Sequence, residues 1–232
     1  VAEQSIPVLL AAAGNVDQEQ TEVRQAAIEA LALLSSNLDG KPLRDRSAAV
    51  APILIVASED DDYQVAERAA YALSLVGGSE AIGRLEAIVT GVSYPNVRYN
   101  AATGLARVGN AKAIPVLLEM LDPAETAGLV IERNEELKEV EIESAKRHKQ
   151  LMLLLNGLRA TRQLAEKNKS ADLSELREAV EQLIEFTTVK QIRLEATDVL
   201  KTLHARGDRS AAPAARQGGR RWIATAAVMD KV

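Results

Sequence analysis

Few side chains here could do covalent or metal chemistry, and their spacing argues against it. There is no cysteine among the 232 residues, which excludes disulfides, thiolate nucleophiles, iron–sulfur clusters and cysteine-ligated zinc. The two histidines, His148 and His204, form no His-x-x-His, His-x-x-x-His or His-Glu pair, so a histidine-based metal centre lacks ligands. His148 stands among Lys146, Arg147 and Lys149 and reads as solvent-exposed, while His204 reads as closing a helix terminus. The run Glu59-Asp60-Asp61-Asp62 has enough carboxylates for calcium but lacks the alternating spacing that wraps one ion. Negative charge just ahead of a helix is the better account of it. Nucleophile–base pairs and Gly-rich phosphate loops are likewise missing from the sequence. No catalytic, cofactor-binding or metal residue is expected, and no cofactor.

What does recur is arginine. Arg24, Arg98 and Arg193 occupy the same place in three related segments, with Ala66 breaking the series in a fourth. One reading makes them a ladder gripping an acidic peptide or a phosphate. The other makes them an internal ladder, each arginine paired with an Asp or Asn of the neighbouring turn. With Arg68, Arg107, Arg159 and Arg162 on the helices expected at 65–76, 97–108 and 150–164, they form the candidate partner-binding set.

The segments that carry Arg24, Arg68, Arg98 and Arg193 are four copies of one pattern. They are Val23-Arg-Gln-Ala-Ala27-Ile-Glu-Ala-Leu31, Val65-Ala-Glu-Arg-Ala69-Ala-Tyr-Ala-Leu73, Val97-Arg-Tyr-Asn-Ala101-Ala-Thr-Gly-Leu105 and Ile192-Arg-Leu-Glu-Ala196-Thr-Asp-Val-Leu200. A β-branched residue, an alanine and a leucine at steps of four share one helix face. Helices are expected at 23–34, 65–76, 97–108, 150–164 and 192–203. Val65 to Val97 and Ile82 to Ile114 both span 32 residues, whereas Val23 to Val65 spans 42, the excess lying in the polar loop Ser35–Ser47. Pro7, Pro52 and Pro115 read as helix starts, and Gly77-Gly78 and Gly109-Asn110 as helix stops. A period of this length marks stacked helix pairs, each burying its apolar face on its neighbours. The pattern weakens between 122 and 171, where Glu132–Lys149 is strongly charged and precedes a longer helix; Gly157-Leu158 there echoes Gly104-Leu105.

Asx-x-Val-Arg-x-x-Ala-x-x-x-Leu at this period resembles HEAT repeats of the short, phycobilisome-lyase type, most clearly from Asn96 to Pro115. The resemblance covers 1–121 well and 172–204 less closely. It implies an all-α, right-handed α-solenoid of about five antiparallel helix pairs, with the second helix of each pair lining a concave side. It also favours the internal reading of the arginine ladder. Proteins of this kind mostly scaffold or bind proteins and a few are enzymes, so fold leaves function open. HEAT-like di-iron hydroxylases use His-Glu pairs, which this sequence lacks.

Composition narrows the partner. Hydrophobic residues are 47 % but aromatics only 3 %, so the core is aliphatic and rings for stacking bases are scarce. The net charge is −5 although residues 206–232 are basic, through Arg206, Arg209, Arg216, Arg220, Arg221 and Lys231. The body is therefore acidic and repels a phosphate backbone. That also disfavours a base-flipping glycosylase, since the one Trp, Trp222, lies in the tail. No run approaches a membrane span.

The expected domains are an α-solenoid over 1–205, with a charged insertion at about 122–149, and a Gly/Ala/Arg segment over 206–232. That segment could dock Trp222, Ile223, Ala226 and Met229 as a cap. The chain opens at Val1, without methionine, in an apolar segment and reads as a truncated or processed product. A cytoplasmic setting fits better than a secreted one, and the oligomeric state is left open. The expectation is a non-enzymatic scaffold that binds a protein or peptide on the concave face. The alternative is a phycobilin-lyase-like enzyme, or enzyme subunit, acting on a partner-bound ligand.

Overall fold

The computed structural model describes residues 2–15, 20–36, 41–91, 94–127 and 139–206. Every regular element among them is helical. In order they are α1 (Ile6–Ala13), α2 (Thr21–Ser36), α3 (Lys41–Arg44), α4 (Ser47–Ala57), α5 (Tyr63–Val76), α6 (Gly78–Thr90), α7 (Pro95–Arg107), α8 (Ile114–Leu121), α9 (Pro123–Ala127), α10 (Glu139–Lys167), α11 (Ser174–Phe186) and α12 (Lys190–Ala205). Contacts divide the chain into two units, Val1–Val116 and Leu117–Val232. The tail beyond Arg206, with the proposed cap at Trp222, and residues 128–138 of the charged insertion lie outside the described residues.

In the first unit α2, α5 and α7 stack on one another, and α1, α4 and α6 form a second layer, packed on α2, α5 and α7 respectively. The motif residues explain the stacking. Ala69 and Ala101 are wholly buried and Ala27 nearly so, as are Leu31, Leu73 and Leu105. Small residues at the middle of each helix let backbones approach, and leucine fills the space between layers. In the second unit α12 packs on both α10 and α11, and its Ile192, Ala196 and Val199 are buried.

Local signals set most boundaries. Asp62 caps α5 by accepting from the backbone N–H groups of Gln64 and Val65 at 2.9 and 3.1 Å. Gly77 and Gly109 have φ of 69° and 80°. The second closes α7, with the Asn110 N–H on the Leu105 carbonyl at 2.8 Å. Pro7 and Pro115 fall in first helical turns, as expected. Pro52 does not: α4 begins a turn earlier, at Ser47, and Pro52 sits inside it. The carbonyl it cannot serve belongs to exposed Ala48, where water can take the missing donor's place. The polar connection read over 35–47 contains α3, whose Leu43 is fully buried. The charged residues from Glu139 onward form the start of α10, a helix of 29 residues.

Candidate partner-binding surface

The conspicuous charges of the first unit turn inward on one another. Arg24, only 4 % exposed, reaches from α2 to the loop ahead of α5 and pairs with Asp60 at 2.7 Å. Beside it Gln25 donates to Asp62 at 3.1 Å. From the other side Arg84 of α6 pairs with Glu59 at 2.9 Å and donates to the Ser58 hydroxyl at 2.7 Å. The acidic run Glu59–Asp62 is thus bound by two arginines and a helix N-terminus rather than arranged around a common ion.

The remaining candidate arginines divide by what they touch. Arg107 donates to the Ser74 carbonyl at 2.9 Å and to its hydroxyl at 3.1 Å, so it caps the C-terminal turn of α5, where a cation suits the helix dipole. Burial pushes its guanidinium down from the ordinary value; the nearby Tyr71 phenol opposes that shift and the Arg44 charge adds to it. Arg68 crosses from α5 to Glu29 of α2 at 3.3 Å, and Arg98 is half-buried on α7. In the second unit Arg162 of α10 meets Glu195 of α12 at 3.3 Å, and Arg193 donates to the Thr187 carbonyl ahead of its own helix. Arg159 is exposed on α10 and pairs with no described residue.

Two asparagines that the arginine series does not reveal belong to the same system. Asn96 donates to the Glu67 carboxylate at 3.2 Å and Asn100 to the Glu67 carbonyl at 3.1 Å. Each therefore ties α7 back to α5. Their signal in the sequence is position alone, since Asn100 stands where Arg68 stands one repeat earlier. The uncovered face of α2, α5 and α7 consequently carries a row of half-exposed polar groups, Glu29, Arg68, Asn100 and Thr103 among them, with the Tyr71 ring 37 % exposed.

His148 is exposed on α10. His204 lies in the last turn of α12 with Glu181 of α11 at 3.8 Å. No described helix is long and apolar enough to cross a membrane.

Residues 50–129 match the family model of HEAT repeats. No curated relative matches the chain. Among solved structures, the designed armadillo repeat protein YIII(Dq)4CqI is similar at 16 % identity and a TM-score of 0.41, over 85 % of this chain and 99 % of that one. The class defined by the stacked pairs is the all-α repeat solenoid. Within that class, residues 50–129 are the part of the chain similar to HEAT repeats.

Proposed function

We propose that the chain is a non-enzymatic scaffold, and that the uncovered face of its motif helices takes up a protein or peptide partner. The observation supporting this is the row on α2, α5 and α7, where polar side chains and one aromatic ring stand exposed at matching positions on successive helices. Such a row offers hydrogen bonds at a regular spacing, and an exposed tyrosine is a common anchor. The Arg68–Glu29 pair is long and open, with the Glu29 side chain 54 % exposed. Pairs of that sort contribute about 0.2–1 kcal/mol and can be exchanged for a partner's carboxylate at little cost. Arg24 and Arg107 are committed to holding α2, α5 and α7 together. Arg68 in the first unit and Arg159 and Arg162 in the second are the cations available to a partner.

The test is affinity capture from lysate of the source organism with three baits: the parent chain, Arg68→Glu, and Arg159→Glu with Arg162→Glu. Circular dichroism confirms that each is folded. A partner held by the parent and lost by one variant supports the reading and names the unit that binds. Capture undiminished by either variant removes these arginines from the site. A parent that captures nothing reproducibly overturns the scaffold reading.

A further inference from the structure

Aromatic side chains are scarce in this chain: four tyrosines, one phenylalanine and one tryptophan in 232 residues. Two of these six nevertheless meet each other at the surface of the first unit. Tyr63 opens α5 and Tyr94 stands at the N-cap of α7, with ring centroids 5.6 Å apart and planes tilted by 56°. Tyr94 is 53 % exposed and Tyr63 half-buried. The Tyr94 side chain takes no part in capping α7. In a tilted pair the edge of one ring meets the face of the other, so the exposed ring keeps a face that its neighbour does not cover.

The groups around the pair are acceptors. Glu67 lies one turn beyond Tyr63 on α5, the spacing that puts two side chains on one helix face. It accepts from Asn96, two residues past Tyr94, at 3.2 Å, so ring and carboxylate both face the start of α7. Its other oxygen takes no hydrogen bond from a described residue. Immediately before Tyr63 runs Asp60-Asp61-Asp62. Asp60 is met by Arg24, and Asp62 by Gln25 and by the N–H groups of Gln64 and Val65. Asp61 is exposed and pairs with no described residue. No lysine or arginine occurs over 60–67 or over 91–97. The N-terminus of α7 opposes this with about half a positive charge, against the two full negative charges of Asp61 and Glu67. The balance is negative beside an open ring face, which is itself the negative end of the ring quadrupole.

We infer that this corner binds a guanidinium: an arginine side chain of a partner protein lies on the Tyr94 ring, with Glu67 and Asp61 as the carboxylates that answer its charge. Arginine suits both parts, because its plane stacks on a ring while its edge donates to carboxylates; an ammonium has no flat face to stack. The inference stands apart from the partner reading above. Neither Tyr63 nor Tyr94 belongs to the polar row on α2, α5 and α7, and Tyr71, which does, marks that row in the test.

The probe is the peptide acetyl-Gly-Arg-Gly-Arg-Gly-amide, titrated into the full chain carrying ring-labelled tyrosine and followed by nuclear magnetic resonance. Only four tyrosines are present, so single Tyr→Phe variants assign every ring signal. The Tyr63 and Tyr94 signals are expected to shift with added peptide, and those of Tyr71 and Tyr99 to stay. Peptides with lysine or with uncharged citrulline in place of arginine are expected to bind more weakly. Tyr94→Leu, which keeps an apolar side chain and removes the ring, should weaken binding about two- to fivefold. Asp61→Asn should weaken it about 1.5- to fivefold; Asp61 is exposed, so this variant reads the site even where the ring variant disturbs packing. Glu80→Gln removes an exposed carboxylate near the other end of α5, about 20 Å away, and should change nothing. No shift at about 5 mM peptide overturns the inference, as does a shift confined to Tyr71, which puts the peptide on the polar row instead. So do equal losses for Asp61→Asn and Glu80→Gln, the mark of general attraction to an acidic body. Binding undiminished by Tyr94→Leu at an unchanged helical spectrum, or lysine or citrulline peptides bound as tightly as the arginine one, overturns it as well.

Discussion

At the scale of single residues, a charge that repeats along this chain is first a structural part. Arg24 is buried and Asp60 nearly so, with side-chain exposures of 5 % and 19 %. A guanidinium removed from water needs its carboxylate, and the loss of one partner leaves a poorly solvated charge behind. Asp60→Ala is expected to destabilise the chain by about 1–3 kcal/mol, discounted for the partial exposure of the carboxylate. Glu143→Ala, which removes an exposed pair with Lys146 on α10, should leave the urea midpoint unmoved. Equal midpoints for the two variants would show that Arg24 does not depend on Asp60. The arginine series was legible in the sequence because the spacing repeats, and the alternative of an internal ladder was open there. Which alternative holds for Arg24 was not legible, because Asp60 lies 36 residues away and its approach depends on how α5 stacks on α2.

At the scale of elements, the repeat is built on close approach, and glycine marks where it is closest. A Cβ at Gly104 would meet the Ser74 Cβ at 2.5 Å and its Cα at 2.9 Å, so α7 would have to move off α5. Alanine raises helix propensity by up to about 1 kcal/mol, but an overpacking cost of about 1–3 kcal/mol falls on the other side. Gly104→Ala is therefore expected to lower stability. At Gly157 the nearest atom is the Cβ of Met120 at 3.1 Å, and methionine can adjust, so Gly157→Ala should come out close to neutral. Chemical denaturation of the two variants side by side checks the order, and a more damaging Gly157→Ala would contradict it. The echo of Gly104-Leu105 in Gly157-Leu158 was visible in the sequence, and both leucines are fully buried. The place of Pro52 within α4 was not, because the helix begins earlier, beside α3, and local sequence reports the break better than what surrounds it.

At the scale of the whole molecule, the acidic balance meets a set of carboxylates held in their charged form. Asp45 is held below its ordinary value by Lys41, Glu86 by Lys112 and Asn110, Asp172 by the Ser174 backbone and hydroxyl, and Asp198 by Lys201. A depressed carboxyl contributes stability that is complete above its unfolded value, here 3.8 for Asp and 4.5 for Glu. That contribution is lost as pH falls through the lower folded value, because the unfolded chain then binds more protons. The urea midpoint is expected to be level from about pH 7 to about pH 5 and to fall below about pH 4. Glu86→Gln should shallow that acid limb, and a midpoint that rises on acidification would refute the assignment.

Taken alone, the sequence determined that this is an aliphatic helical array whose motifs resemble HEAT repeats, without cysteine and with an acidic body. Periodicity, capping residues and composition are local quantities that survive without coordinates. Only the tertiary structure decided that Arg24 and Arg107 serve the stack, that Asn96 and Asn100 join it, and that Val23 and Leu33 stand open where Val65 and Leu75 are closed. The motif writes the same residue at Val23, Val65 and Val97, so the pattern cannot tell them apart. Burial depends on whether a neighbouring helix lies against the position, and stacking is what supplies or withholds that neighbour.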